Sequence, residues 1–192
     1  MLKLLTNFEK NYPEIAGKCK KVHNLVETFL NKNSLISENN KKNLLLAAKV
    51  YLIGMTRMSV KIRENIKRGE ILNQKEKEIF KKYPKHNLDI INGVYKKEYD
   101  NEVFASALLN HRERFDGKGP NKILGYNNYQ TTYILSMFDR LYDNYQINDN
   151  VDIALELIEK DNGGIDPYWI DILKKNMKNI EFREEILRIL NN

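Results

Sequence analysis

The sequence is short of several things, and each shortage narrows the field. One cysteine, Cys19, stands in 192 residues. No disulfide can close within the chain, which suits a reducing compartment. No apolar run approaches the roughly 20 residues of a membrane span. The opening Met1-Leu2-Lys3-Leu4-Leu5-Thr6-Asn7-Phe8-Glu9 meets an acid too early for a secretory signal. Neither a membrane nor export is expected, and the expected location is the cytoplasm. Alternating strand patterns of useful length are missing, as are internal repeats. Histidine is scarce, with three in the chain. His23 lies one helical turn from Cys19, but no second pair completes a zinc site.

What is present reads as one globular domain. Hydrophobic residues make up 42% and charged residues 30%, a balance that buries a substantial core. The net charge of +6 with a pI near 9.2 raises nucleic acid or an acidic partner as a class. Its distribution argues otherwise. Lys20-Lys21, Lys41-Lys42 and Lys96-Lys97 are isolated pairs mixed with Glu and Asp, as on solvated helix faces. A nucleic-acid polymer is not expected as a partner. Trp169 and the tyrosines read as packing rather than as a stacking surface.

The periodicity is helical nearly throughout. Val22, Leu25, Val26 and Phe29 share one face. Residues 44–53 are apolar almost all round, which predicts a central buried helix, with Ser37 before it as N-cap. Asn73 and Glu76 form a capping-box pattern. Further stripes run through Leu88, Ile91 and Val94, through Phe104, Ala107 and Leu108, and through Ile134, Met137, Phe138 and Leu141. Ile153, Ala154, Leu157 and Ile158 make another, ended by Asn162-Gly163-Gly164. Asp166-Pro167 caps and starts the next helix. The longest irregular part spans residues 116–128. These signals predict an all-α fold: a helical lead-in over residues 1–12, a main domain over 13–178, and a C-terminal helix over 179–192 packed on the same domain.

One stretch carries the pattern of a catalytic motif. Asn110-His111-Arg112-Glu113-Arg114-Phe115-Asp116-Gly117-Lys118-Gly119-Pro120 closely resembles His-His-Glu-Arg-x-Asp-Gly-x-Gly-Tyr-Pro. That is the signature of the HD-GYP family, bacterial hydrolases of cyclic dinucleotides such as cyclic-di-GMP. Other landmarks follow in the family's order. Ala16 to Val22 is similar to Gly-His-Ser-x-Arg-Val, and Ala47 to Met55 to Ala-Ala-x-Leu-His-Asp-Ile-Gly-Lys. Lys67 to Ile71 is similar to the family's Lys-Pro-Gly-x-Leu turn. Tyr83 to Ile91 resembles His-Pro-x-x-Gly-x-x-Ile-Leu, Ser136 to Leu141 resembles Asp-Val-Phe-Asp-Ala-Leu, and Gly164 to Pro167 the late Gly-x-x-Phe-Asp-Pro. The resemblance covers most of the chain and implies a single HD-domain-like helical bundle.

The family's chemistry uses two or three iron or manganese ions held by His and carboxylate groups, which activate water and neutralise the phosphodiester. Carried over position by position, most of those ligands are gone. The resemblance places Lys18 at the first histidine, Tyr51 and Leu52 at the His-Asp pair, and Tyr83 at the His-Pro histidine. It places His111 and Arg112 at the paired histidines, Ser136 at a late aspartate, and Glu14 at a carboxylate used in some members. Lysine as ammonium and arginine have no lone pair to give. Only Glu14 and His111 retain ligand chemistry, so no metal or other cofactor is expected. Pro84 directly after Tyr83 argues against a slipped register that would make His86 the ligand.

The resemblance therefore implies an inactive member acting as a regulatory or scaffolding module through a protein partner. The alternative is a sensor that binds a cyclic dinucleotide or other phosphorylated ligand without cutting it. Residual metal-dependent phosphodiesterase activity is the third reading. The expected remnant pocket comprises Glu14, Lys18, Tyr51, Tyr83, His111, Arg112 and Ser136. In its filled form, Lys18 pairs with Glu14 one turn away and Arg112 with a nearby carboxylate. His111, continuing the Phe104, Ala107, Leu108 stripe, is expected to face inward.

Overall fold

A computed structural model describes residues 1–94 and 102–192. The Lys96-Lys97 pair and the side chain of Val94 lie outside the described residues. Among the described residues there are ten α-helices and no strand: α1 Leu2–Asn11, α2 Pro13–Lys32, α3 Glu38–Ala48, α4 Val60–Lys67, α5 Gln74–Val94, α6 Glu102–Asn110, α7 Gln130–Asn148, α8 Val151–Lys160, α9 Pro167–Met177 and α10 Ile180–Asn191. Short 3-10 turns cover Ile53–Arg57 and Gly125–Asn127. No helix there is long and apolar enough to cross a membrane.

The helix starts follow local chemistry. Ser37 accepts a hydrogen bond from the Asn40 amide at 3.3 Å. Asn73 and Glu76 bond each other's backbone amides at 3.0 and 2.9 Å, a closed capping box. Asp166 caps α9, with Pro167 at its first position. α1 lies against α2 and buries Phe8, and α10 packs on α2 and α9.

The central helix is α7. Its residues 131–139 are all buried, and it packs against α2, α3, α6, α8 and α9. Phe29 of α2 meets Phe138 edge-on at 5.4 Å and Trp169 of α9 at 6.4 Å. Ile153 and Leu157 depart from the expected α8 stripe. They are 42% and 41% exposed, whereas Ala154 and Ile158 are buried. Leu157 instead borders an open cleft beside α7.

The apolar run over residues 44–53 does not continue as one helix. α3 stops at Ala48, and the chain turns through Tyr51 and Leu52 into the 3-10 segment. The cause sits on α5. The buried Asn87 side chain accepts from the Gly54 amide at 2.6 Å and donates to the carbonyls of Tyr51 at 2.5 Å and Leu108 at 3.1 Å. One side chain thus satisfies buried backbone groups that a continuing helix would have paired internally. Gly54 lies so close to α5 that a Cβ there would overlap the Tyr83 carbonyl oxygen. The turn holds Tyr51 inward against α7, rather than on a helix face.

Gly54→Ala is expected to destabilise the fold by about 1–3 kcal/mol through forced overpacking. Urea unfolding checks this; an unchanged midpoint would count against the Asn87 clamp as the reason for the break.

Candidate functional site

Five segments bring polar side chains to one place beside α7. α2 supplies Lys18, the turn after α3 supplies Tyr51, and α5 supplies Tyr83. His111 and Arg112 follow the last residue of α6. α7 supplies Ser136, Asp139, Arg140 and Asp143, which recur every three or four residues and so share a face. A cleft of about 390 Å³ opens here, lined in part by His111, Arg112, Ser136, Asp139, Asp143 and Leu157.

An ion triad forms its floor. Lys18 Nζ lies 2.8 Å from Asp139 Oδ1 and 2.6 Å from Asp143 Oδ1. The Tyr51 hydroxyl donates to the same Asp139 oxygen at 2.7 Å. Burial disfavours a charged Lys18, but Asp139 and Asp143 outweigh it and raise the ammonium's pKa. Burial also opposes ionisation of Asp139, yet Lys18 holds that carboxyl down at about 2. Asp143 is raised by burial and by the neighbouring Asp139 charge. Two carboxylates sharing one ammonium titrate as a unit.

A second chain runs beside it. Tyr83 Oη and His111 Nε2 are 2.6 Å apart, and His111 Nδ1 is 3.2 Å from the Ala107 carbonyl. Because a carbonyl only accepts, Nδ1 carries the proton and Nε2 accepts from Tyr83. Burial pushes the His111 pKa down to about 4, so the ring is neutral at pH 7. Burial raises the Tyr83 hydroxyl to about 12. The Tyr51 ring meets His111 edge-on at 5.2 Å. The Arg112 guanidinium lies over the Phe80 ring at 4.5 Å. A stacked guanidinium is restricted in orientation.

Of the expected pocket residues, His111, Arg112 and Ser136 line the cleft, Lys18, Tyr51 and Tyr83 lie beside it, and three expectations differ. Glu14 is not part of it: the residue is exposed, and its Oε1 accepts from Lys67 Nζ at 2.7 Å. Lys18 pairs across the bundle with α7 rather than along its own helix. Buried charge needs nearby compensation, and Asp139 supplies it where the solvated Glu14 does not. Arg112 makes no ion pair with a carboxylate among the described residues; the Phe80 ring face supports it instead. His111 faces inward as its stripe predicts, at 1% exposure.

The sequence pattern puts Ser136 alone of the α7 residues in the pocket, but Asp139 and Asp143 also line the cleft. The Ser136, Asp139, Asp143 spacing was the available signal. A separate network braces the loop after α6. Arg114 pairs with Asp116 and Asp161, and Asp161 also pairs with Arg140. Buried Glu113 accepts from the amides of Asn121 at 2.6 Å and Ile123 at 3.3 Å. Gly117 turns the loop at a φ of 74°.

The sequence profile described as HD domain matches residues 5–167. The chain belongs to the HD-domain family. A solved structure similar to this HD domain is Bd1817, an HDG"Y"P protein from Bdellovibrio bacteriovorus. The two share 14% identity with a TM-score of 0.64, over 97% of this chain. This HD domain spans 56% of the length of that chain. No curated protein matches the sequence.

HD domains usually act as metal-dependent phosphohydrolases, so the fit of a metal centre here is a chemical question. Lys18 is an ammonium, Arg112 has no free lone pair, and Leu52 is apolar. His111, the histidine of this site, has both ring nitrogens engaged. Among the described residues, no group of three or more His, Cys, Asp or Glu side chains is placed to hold a metal ion. The residues present do not fit the family's ion cluster.

The triad sets an acid limb of stability. A carboxyl near 3.9 when unfolded and at about 2 when folded contributes stability that is full above about pH 4 and is lost as pH falls towards 2. Asp143, raised on folding, offsets part of that loss. Asp139→Asn should cost about 2–3 kcal/mol at pH 7 and flatten the dependence below pH 4. Chemical unfolding across pH 2–7 reads both; an unaltered acid limb in the variant would remove Asp139 as its source.

Proposed function

We propose that this HD domain is a non-catalytic module of bacterial signalling in the cytoplasm, regulating or scaffolding through contact with a protein partner. The observation that carries the reading is the Lys18 ammonium, which sits between Asp139 and Asp143 at the position where the HD-GYP resemblance puts a metal-ligating histidine. A fixed cation there offsets one of the two α7 carboxylate charges without an exchangeable ion. It offers no open coordination position to activate water. The neutral His111, donating to Ala107 and accepting from Tyr83, serves as a satisfied core group.

A second reading, a non-hydrolysing sensor of a cyclic dinucleotide or other phosphorylated ligand, draws on the open cleft and on Arg112. The lining weighs against it. Asp139, Asp143 and Asp161 face the same space, and a ligand with several negative charges meets them as like charges. Residual phosphodiesterase activity would need metal ligands from groups other than those at the family positions.

EDTA should leave the thermal midpoint unchanged, because nothing that binds the folded state is removed. Cyclic-di-GMP should not be turned over with manganese or iron supplied. A fall in the midpoint on chelation, or metal-dependent turnover, would overturn the non-catalytic reading.

A further inference from the structure

One basic group at the cleft beside α7 makes no direct ion pair. Lys18 is taken by Asp139 and Asp143, and Arg140 by Asp161. Arg114, behind Asp161, is taken by Asp161 and Asp116. Arg112 alone among these basic groups has no ion pair within the described residues, and its guanidinium is stacked on Phe80. A guanidinium presents a fork of N–H donors matched to a planar carboxylate, and a paired geometry adds orientation as well as strength.

α8 gives the cleft its apolar lining. Leu157 and Ile158 of α8 line the cleft, and Leu157 keeps 41% of its surface open. Ile153, one turn earlier on α8, is also half exposed. Of the two positions that depart from the expected buried stripe of α8, Leu157 is the one that borders the cleft. A volume of about 390 Å³ lies within the range of small-ligand sites, which pair apolar walls with a few placed polar groups.

We infer that this cleft binds a single carboxylate carried on an aliphatic body, with Arg112 gripping the carboxylate and Leu157 and Ile158 covering the aliphatic part. The inference rests on the non-catalytic reading, since it leaves the triad untouched. One guanidinium without a direct ion pair suits one negative charge, whereas the three aspartates of the lining disfavour a polyanion. Two sources supply this chemistry: a free aliphatic acid, or a Glu or Asp side chain flanked by apolar residues on a partner protein.

The test titrates the full chain, in EDTA, with hexanoate and separately with the capped tripeptide acetyl-Leu-Glu-Leu-amide, and follows the backbone amide signals of His111, Arg112 and Leu157 by NMR. Pyrophosphate is the polyanion control. Saturable shifts are expected with at least one of the two carboxylates, and which one binds more tightly identifies the source. Arg112→Leu should weaken that binding by about tenfold or more, the loss of one charge-assisted paired contact. Leu157→Asp, at an exposed position that leaves folding intact, should weaken it comparably by placing a like charge on the apolar wall. Absence of binding by both carboxylates, full binding by the Leu157→Asp protein, or tighter binding of pyrophosphate would overturn the inference. Failure of the non-catalytic reading appears separately, as turnover, and is not read by these shifts.

Discussion

The ammonium of Lys18 between two carboxylates of α7 is the constraint on which the site depends. It ties α2 to the most buried helix of the bundle at 2.8 and 2.6 Å. Without it, Asp139 would be a nearly buried anion whose remaining partner is a single phenolic hydroxyl. Such a charge is expensive to leave uncompensated. In this HD domain, the work of holding carboxylates together at the centre of the bundle falls to a covalently attached cation. A lysine cannot be chelated away, and it cannot activate water.

The rest of the fold serves that arrangement. Asn87 stops α3 from running on and turns Tyr51 towards Asp139. Tyr83 and His111 satisfy each other and leave Arg112 at the edge of the cleft. The Arg114, Asp161 and Arg140 network fixes the loop after α6 against the end of α8. The result is a cleft with a paired-ion floor, a guanidinium without a direct ion pair, and apolar lining from α8.

Much of the fold was legible in the sequence because its signals are local. Ser37, the Asn73 and Glu76 box, and Asp166-Pro167 mark helix starts through bonds to residues two or three positions away. The inward face of His111 followed from a stripe on its own helix. The errors arose where distant groups decide. The end of α3 depends on Asn87, 33 residues beyond Gly54, and an apolar run alone cannot reveal it. Lys18 was matched to the neighbouring Glu14 because spacing along a helix is visible in sequence, whereas its partner Asp143 lies 125 residues away. Arg112 found an aromatic face instead of a carboxylate for the same reason: Phe80 is adjacent in space and not in the chain.

A double-mutant cycle on Lys18→Met and Asp139→Asn, measured by urea unfolding at pH 7, tests the resident cation most directly. Lys18→Met alone should lose about 3 kcal/mol, since it strands a buried carboxylate. The double variant should lose less than the sum of the singles, with a coupling on the order of 2 kcal/mol. Strictly additive losses, or a Lys18→Met protein as stable as the parent, would contradict the role given to this ion triad.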